Sequence, residues 1–220
     1  MRLLYTHIDA LISKEDLSMQ ITALPEKIQE ELLAYRRKED ATASFLGKCL
    51  VQYAFQQEGQ LFSWNDVAYT EKGKPYLEES SWQFNISHSG NYVAVIIGQG
   101  LVGVDVERYR EVNLELFNRQ FSEAEWEQIH QAEIPSQKFI EFWAIKEAAI
   151  KADGRGVSIL SQTNILNASE LIADGQLMHY QLLNIHADYA CAVCMDPQTS
   201  LLSCTFANQA ALMDFRAPSS

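Results

Sequence analysis

The stretch Gly103-Val104-Asp105-Val106-Glu107 decides how this chain is read. Val102, Val104 and Val106 alternate with Gly103, Asp105 and Glu107, the period of two that marks a strand. Asp105 and Glu107 then point to one face, with Cα atoms roughly 6.5–7 Å apart. Carboxylates placed side by side repel unless water or a cation intervenes. A hard divalent ion is an economical solution, since magnesium takes one or two protein carboxylates together with phosphate oxygens. A half-exposed strand with a polar outer face explains the same alternation. On this segment alone it is the commoner cause.

About 40 residues on, Phe142-Trp143-Ala144-Ile145-Lys146-Glu147-Ala148-Ala149-Ile150-Lys151 changes the balance. Residues 137–153 read as a helix stopped by Gly154. At 100° per residue Phe139, Ile150, Trp143 and Ile140 share an arc of about 100°, the width of a core-facing stripe. Glu147 lies inside that arc, between Trp143 and Ile140. Buried glutamate is rare unless it is paired or bound to metal. Lys151 follows four residues later on the same flank. A solvated Glu-to-Lys pair is the plainer alternative, but the solvated side is expected to carry Glu141 and Lys138. Lys146 is expected nearer the Phe139/Ile150 side, in a structural role, snorkelling past apolar neighbours.

With these two segments in hand, the sequence resembles the Sfp-type 4′-phosphopantetheinyl transferases. That family's pattern is a strand ending Gly-hydrophobic-Asp-x-Glu, then a helix with Trp-x-x-Lys-Glu-x-x-x-Lys. Here these are Gly103 to Glu107 and Trp143, Lys146, Glu147 and Lys151. Three further segments fall in the family's order over residues 72–158: Gly73-Lys74-Pro75, Phe84-Asn85-Ile86-Ser87-His88-Ser89-Gly90 and Gly154-Arg155-Gly156-Val157-Ser158. Lys38-Glu39-Asp40-Ala41 and Phe45-Leu46-Gly47 match more loosely.

The resemblance implies an α+β fold of two similar α/β subdomains in pseudo-twofold arrangement. It implies transfer of 4′-phosphopantetheine from coenzyme A to a serine hydroxyl of an apo acyl or peptidyl carrier protein, leaving adenosine 3′,5′-bisphosphate. Asp105, Glu107 and Glu147 become the expected magnesium ligands. Asp105, Glu147 and Lys151 become the expected catalytic set, with Glu147 accepting the serine proton and Lys151 offsetting phosphate charge. Coenzyme A contacts carried over are Lys27, Gly73, Lys74, Pro75, Ser87, His88 and Lys151. Ser87, His88 and Ser89 are expected in a polar turn, and Lys74 near the 3′-phosphate. The chain also departs from the family. Ala43 stands where an arginine is common, and Glu30 or Glu31 where a second basic residue often follows the Lys27 position. Arg36 or Arg37 are the expected substitutes.

Composition sets the outer bounds. With 220 residues, 47% of them apolar, the chain can bury a sizeable core as one large domain or two small ones. The expected division is 1–100, 101–213 and a disordered tail from Asp214 to Ser220. A net charge of −12 argues against a nucleic-acid partner, and no apolar run is long enough to span a membrane. The N-terminus, Met1-Arg2-Leu3-Leu4-Tyr5-Thr6-His7, has no signal-peptide core. Cys49, Cys191, Cys194 and Cys204 are expected as reduced core residues of a cytoplasmic protein. Cys191 and Cys194 are expected on opposite faces of one strand. Length and layout resemble the monomeric branch of the family rather than its short trimeric one. Leu114, Leu116, Phe117 and Phe121 are candidates for carrier contact, although an amphipathic helix packed on the core explains most of them. Two rivals stay open: a catalytically impaired binding module of the same fold, and another magnesium-dependent phosphotransferase.

Strands are expected near 2–9, 82–86, 92–98, 101–107, 177–184, 189–195 and 200–207, and helices near 13–20, 25–37, 39–58 and 137–153. Ser122-x-x-Glu125 marks another helix start.

Overall fold

The computed structural model describes residues 1–201 and 203–214. The first half runs β1 (Arg2–His7), α1 (Lys14–Gln20), α2 (Glu26–Ala34), α3 (Lys38–Gln57), a hairpin of β2 (Val67–Tyr69) and β3 (Pro75–Leu77), then β4 (Trp82–Ser89) and β5 (Tyr92–Gln99). The second half runs β6 (Val102–Arg108), α4 (Glu123–Gln131), α5 (Pro135–Asp153), β7 (Thr163–Ile165), β8 (Glu170–Ala173), β9 (Gln176–Leu183) and β10 (Tyr189–Met195). β11 (Ser203–Phe206) and α6 (Gln209–Asp214) follow.

The two halves repeat one plan, a long helix laid on a mainly antiparallel sheet. α3 buries Phe45, Leu46, Leu50 and Ala54 against Leu4, Phe84, Val93 and Val95 of the first sheet. α5 buries Ile140, Ala144, Ala148 and Ala152 against Ala190, Ala192 and Cys194 of the second. The first sheet has the order β11-β1-β5-β4 and the second β6-β10-β9-β8-β7. A third core joins the sheets: Leu3, Ala94 and Ile96 from the first meet Val102, Val104, Val106, Cys191 and Val193 from the second. The order is thus helix, sheet, sheet, helix, the mixed α+β architecture expected, and the period of two explains it. On β6 the three valines face the other sheet, which turns Gly103, Asp105 and Glu107 toward α5.

The structure revises several details. The last strand, grouped by sequence with the second half, pairs in parallel with β1, from Arg2 opposite Ser203 to Tyr5 opposite Phe206. Asp214 closes α6 instead of opening a tail, and 215–220 lie outside the described residues. α2 stops at Ala34. α5 is buried on more than one stripe, so Lys138 and Glu141 are half-buried and paired at 2.8 Å. Cys191 and Cys194 do face opposite cores, but Cys204 is exposed. No helix among the described residues is long and apolar enough to cross a membrane.

Candidate active site

β6 is an edge strand lying beside β4, the edge strand of the other sheet. No backbone ladder joins them. Three side chains on one face of β4 accept from the β6 backbone instead: Asn85 Oδ1 from Val104 N at 3.0 Å, Ser87 Oγ from Val106 N at 3.2 Å, and Ser89 Oγ from Arg108 N at 3.1 Å. The seam between the halves is therefore fixed at the level of Asp105. The Ser87-His88-Ser89 stretch, expected in a turn, continues β4, and the chain reverses at Gly90 and Asn91. Ser87 and His88 consequently face opposite ways, Ser87 toward β6 and His88 toward the α3 side.

α5 crosses the other face of β6, and Gly103 allows it to come close. A Cβ at 103 would collide with the Ala148 carbonyl oxygen and stand 2.6 Å from Ala152 N. The helix ends at Gly154, a left-handed C-cap with φ of 88° whose N–H donates to Ile150 O. With the helix so placed, Lys151 Nζ donates to Asp105 Oδ1 at 2.6 Å and to Ser87 Oγ at 2.9 Å, and Ser87 Oγ donates to Asp105 Oδ1 at 2.9 Å. Asp105 is 4% exposed, and its other oxygen, Oδ2, is buried without a hydrogen-bond partner. Ile86, Ser87, His88, Asp105, Glu107, Trp143, Glu147 and Lys151 line one open depression of about 410 Å³.

Electrostatics distinguish these groups. Burial pushes Asp105 above the usual carboxylate range, Lys151 opposes that shift, and Glu107 adds to it. Burial and the Asp105 charge likewise raise Glu147, again against Lys151. Desolvation by its neighbours lowers His88, the charges of Lys151 and Lys48 lower it further, and Asp40 opposes them. The Glu107 carboxylate turns to Arg110 Nη1 at 3.0 Å. Asp105, Glu107 and Glu147 share the depression but do not close on a point. Among the described residues no group of three or more His, Cys, Asp and Glu stands ready to hold a metal ion.

The remaining expected residues divide. Lys27 sits over the Tyr69 ring at 5.4 Å, beside the hairpin whose turn contains Gly73, with φ of 83°, and whose β3 begins at Pro75. Lys74, expected near the 3′-phosphate, donates its ammonium to the Ala152 carbonyl at the end of α5, and its stem lies against Gly154. That contact satisfies one of the carbonyls a helix leaves free at its C-terminus. Lys146 does not snorkel. It is 1% exposed, paired at 2.9 Å with an equally buried Glu125, and it also donates to Gln120 O at 2.8 Å. Glu125 in turn accepts from Ser122 N, completing the expected capping box, and from Ile165 N. Of the apolar candidates Phe121 is buried, Leu114 and Phe117 are partly packed, and Leu116 is 72% exposed. Sequence reading missed the structural parts of Asn85 and Gly103. The Gly in the strand pattern was the available signal for a close backbone approach.

The fold is α+β, and the carboxylate–lysine centre lies at the seam of its two halves. Residues 101–194 match the 4′-phosphopantetheinyl transferase superfamily, and residues 12–99 match the family described as 4′-phosphopantetheinyl transferase, N-terminal. The 4′-phosphopantetheinyl transferase Sfp of Bacillus subtilis (strain 168) is 29% identical over 164 residues, covering 72% of this chain and 73% of the relative. The transferase gsp of Aneurinibacillus migulanus is 35% identical over 139 residues, covering 60% and 56%. A Thermotoga maritima holo-(acyl-carrier-protein) synthase superposes on 44% of this chain and 62% of its own, at 20% identity and a TM-score of 0.34. The chain belongs to the 4′-phosphopantetheinyl transferase superfamily, and 4′-phosphopantetheinyl transferase is its enzyme class.

Proposed function

We propose that this enzyme moves 4′-phosphopantetheine from coenzyme A to a serine hydroxyl of an apo carrier protein in a magnesium-dependent reaction. The observation that carries the reading is Asp105: a buried carboxylate with one oxygen held by Lys151 and Ser87 and the other unpartnered, in a depression rich in charge. An orphaned buried oxygen is costly unless something completes it.

The donor set fits magnesium in kind, since Asp105, Glu107 and Glu147 offer only hard oxygens. Side chains must move for the three to share an ion, Glu107 most of all, because its carboxylate is turned to Arg110. Bound there, the ion supplies charge neutralisation on the pyrophosphate oxygens.

The protein's own groups do the rest. Glu147, raised above its usual range, is placed to accept the proton of the carrier serine hydroxyl. The serine oxygen then bonds to the phosphorus bearing the pantetheine arm, the pyrophosphate P–O bond breaks, and adenosine 3′,5′-bisphosphate leaves. Lys151 lies where it offsets charge on the departing oxygens. His88, on the opposite face of β4 from Ser87, and Lys27, with the backbone of Gly73 and Pro75, would contact the adenosine end of the donor. Such transfer depends on positioning and charge stabilisation more than on covalent chemistry by the protein.

The test is intact-protein mass spectrometry of an apo carrier mixed with the enzyme, coenzyme A and magnesium. The expected result is a carrier heavier by one phosphopantetheinyl group, lost when magnesium is withheld. No added mass on fatty-acid, polyketide or peptidyl carriers would overturn the reading.

A further inference from the structure

Two lysines are buried among the described residues, and their settings differ. Lys146 is matched in full: a carboxylate at 2.9 Å, both side chains 1% exposed, and a backbone carbonyl at 2.8 Å. Lys48 on α3 is not. Its side chain is 9% exposed, but its only carboxylate partner among the described contacts is Glu31 at 3.3 Å, and that side chain is 48% exposed. Ser44 Oγ, one turn earlier on α3, accepts from it at 3.0 Å, and the Trp64 ring lies 6.0 Å away. Taking an ammonium out of water is costly unless a close and well-enclosed counter-charge offsets it. A half-solvated carboxylate at 3.3 Å falls short of that.

Lys48 pairs with Glu31, which stands one turn on from Lys27 along α2, and Lys27 sits over the Tyr69 ring of β2. α2, α3 and the β2–β3 hairpin thus gather Lys27, Glu31 and Lys48 in one charged cluster, and the Lys48 charge bears on His88 of β4. Two basic positions common in the family are altered in this chain: Ala43 stands at one and Glu30 or Glu31 at the other, and the Lys74 ammonium donates to the Ala152 carbonyl at the end of α5.

We propose that Lys48, seconded by Ser44, is the cation that binds the 3′-phosphate of the donor, with Glu31 as a displaceable placeholder. A phosphate monoester near −2 outcompetes one loosely held carboxylate and offers several acceptors in its place. The assignment rests on the coenzyme A reading above, so its test does not use transfer.

The measurement is calorimetric titration of adenosine 3′,5′-bisphosphate and of adenosine 5′-monophosphate into wild type, Lys48→Gln and Glu31→Gln, each checked for an intact melting transition. Wild type should prefer the bisphosphate. Lys48→Gln should weaken the bisphosphate about tenfold or more, the size of a lost charge-assisted hydrogen bond, and leave the monophosphate unchanged. Glu31→Gln should tighten the bisphosphate alone. Retention of the wild-type preference in Lys48→Gln, or weaker bisphosphate binding in Glu31→Gln, overturns the assignment. If the preference depends on Lys48 but no carrier is modified, the phosphate site stands and the transferase mechanism falls.

Discussion

Asp105 and Glu147 are carboxylates kept where ionisation is costly, and that has a sign. Both folded values lie above the ordinary 3.8 and 4.5, with burial as the main cause. Between the unfolded and the folded value the native chain holds more protons than the unfolded one. The metal-free protein therefore has the full benefit of these groups below the unfolded values and loses stability as pH rises through the window. A cation inverts this, since it must displace those protons to bind. Magnesium affinity is thus expected to rise with pH through a window above the ordinary carboxylate range, with net proton release. Calorimetry in two buffers of different ionisation enthalpy measures the release directly. Affinity that does not change with pH there would show that these carboxyls are not the ligands. Asp105→Asn keeps the hydrogen-bonding shape but should abolish both the binding and the release.

At the scale of elements, Gly103 is what lets α5 lie on β6 at the height that sets Lys151 on Asp105. Gly103→Ala drives a methyl into the Ala148 carbonyl, and backbone cannot yield as a flexible side chain does. Overpacking of this kind costs about 1–3 kcal/mol. The transfer rate should fall further than the folded fraction does, because Glu147 and Lys151 ride on the displaced helix. Denaturant titration beside single-turnover rates separates the two effects, and a loss matched by the folded fraction would confine Gly103 to stability. Lys146→Met belongs to the opposite case. It leaves Glu125 buried and unpaired, at about 3–5 kcal/mol, and the folded molecules should transfer at near-normal rates. These two positions also show what a sequence discloses. The alternation of Val102 to Glu107, the Ser122–Glu125 box and the stop at Gly154 are signals spanning a few residues, and each was legible. Lys146 and Glu125 lie 21 residues apart and Lys48 and Glu31 lie 17 apart, so nothing local foretells either pairing. β2, β3 and β7 are three residues long and carry too few alternations to be seen. β11 was seen but misplaced, because each of its residues pairs with one of β1 that stands 201 positions earlier, Arg2 with Ser203 to Tyr5 with Phe206, and strand pairing follows the assembled core.

For the whole molecule the seam decides whether two halves act as one site. Unpaired sheet edges invite pairing with other chains, yet β4 and β6 lie edge to edge without a ladder and are stitched by Asn85, Ser87 and Ser89. Side chains set the strands at a separation that leaves room for a depression, which backbone pairing at under 5 Å would close. Ser87 serves both seam and site, since it also bonds Asp105 and Lys151. Asn85 serves the seam alone and is buried two residues away. Asn85→Ala should therefore strand the Val104 N–H at a cost of about 1–3 kcal/mol, with the rate constant of the folded enzyme little changed. Ser87→Ala should lose stability on the same scale and most of the activity with it. Amide hydrogen exchange gives the decisive reading. Loss of Asn85 should speed exchange at Val104, and loss of Ser87 at Val106, each beyond what the fall in global stability predicts. If both amides kept their protection, the β6 edge would be held by packing of the inter-sheet core alone, and the side-chain stitches would be incidental to how the halves meet.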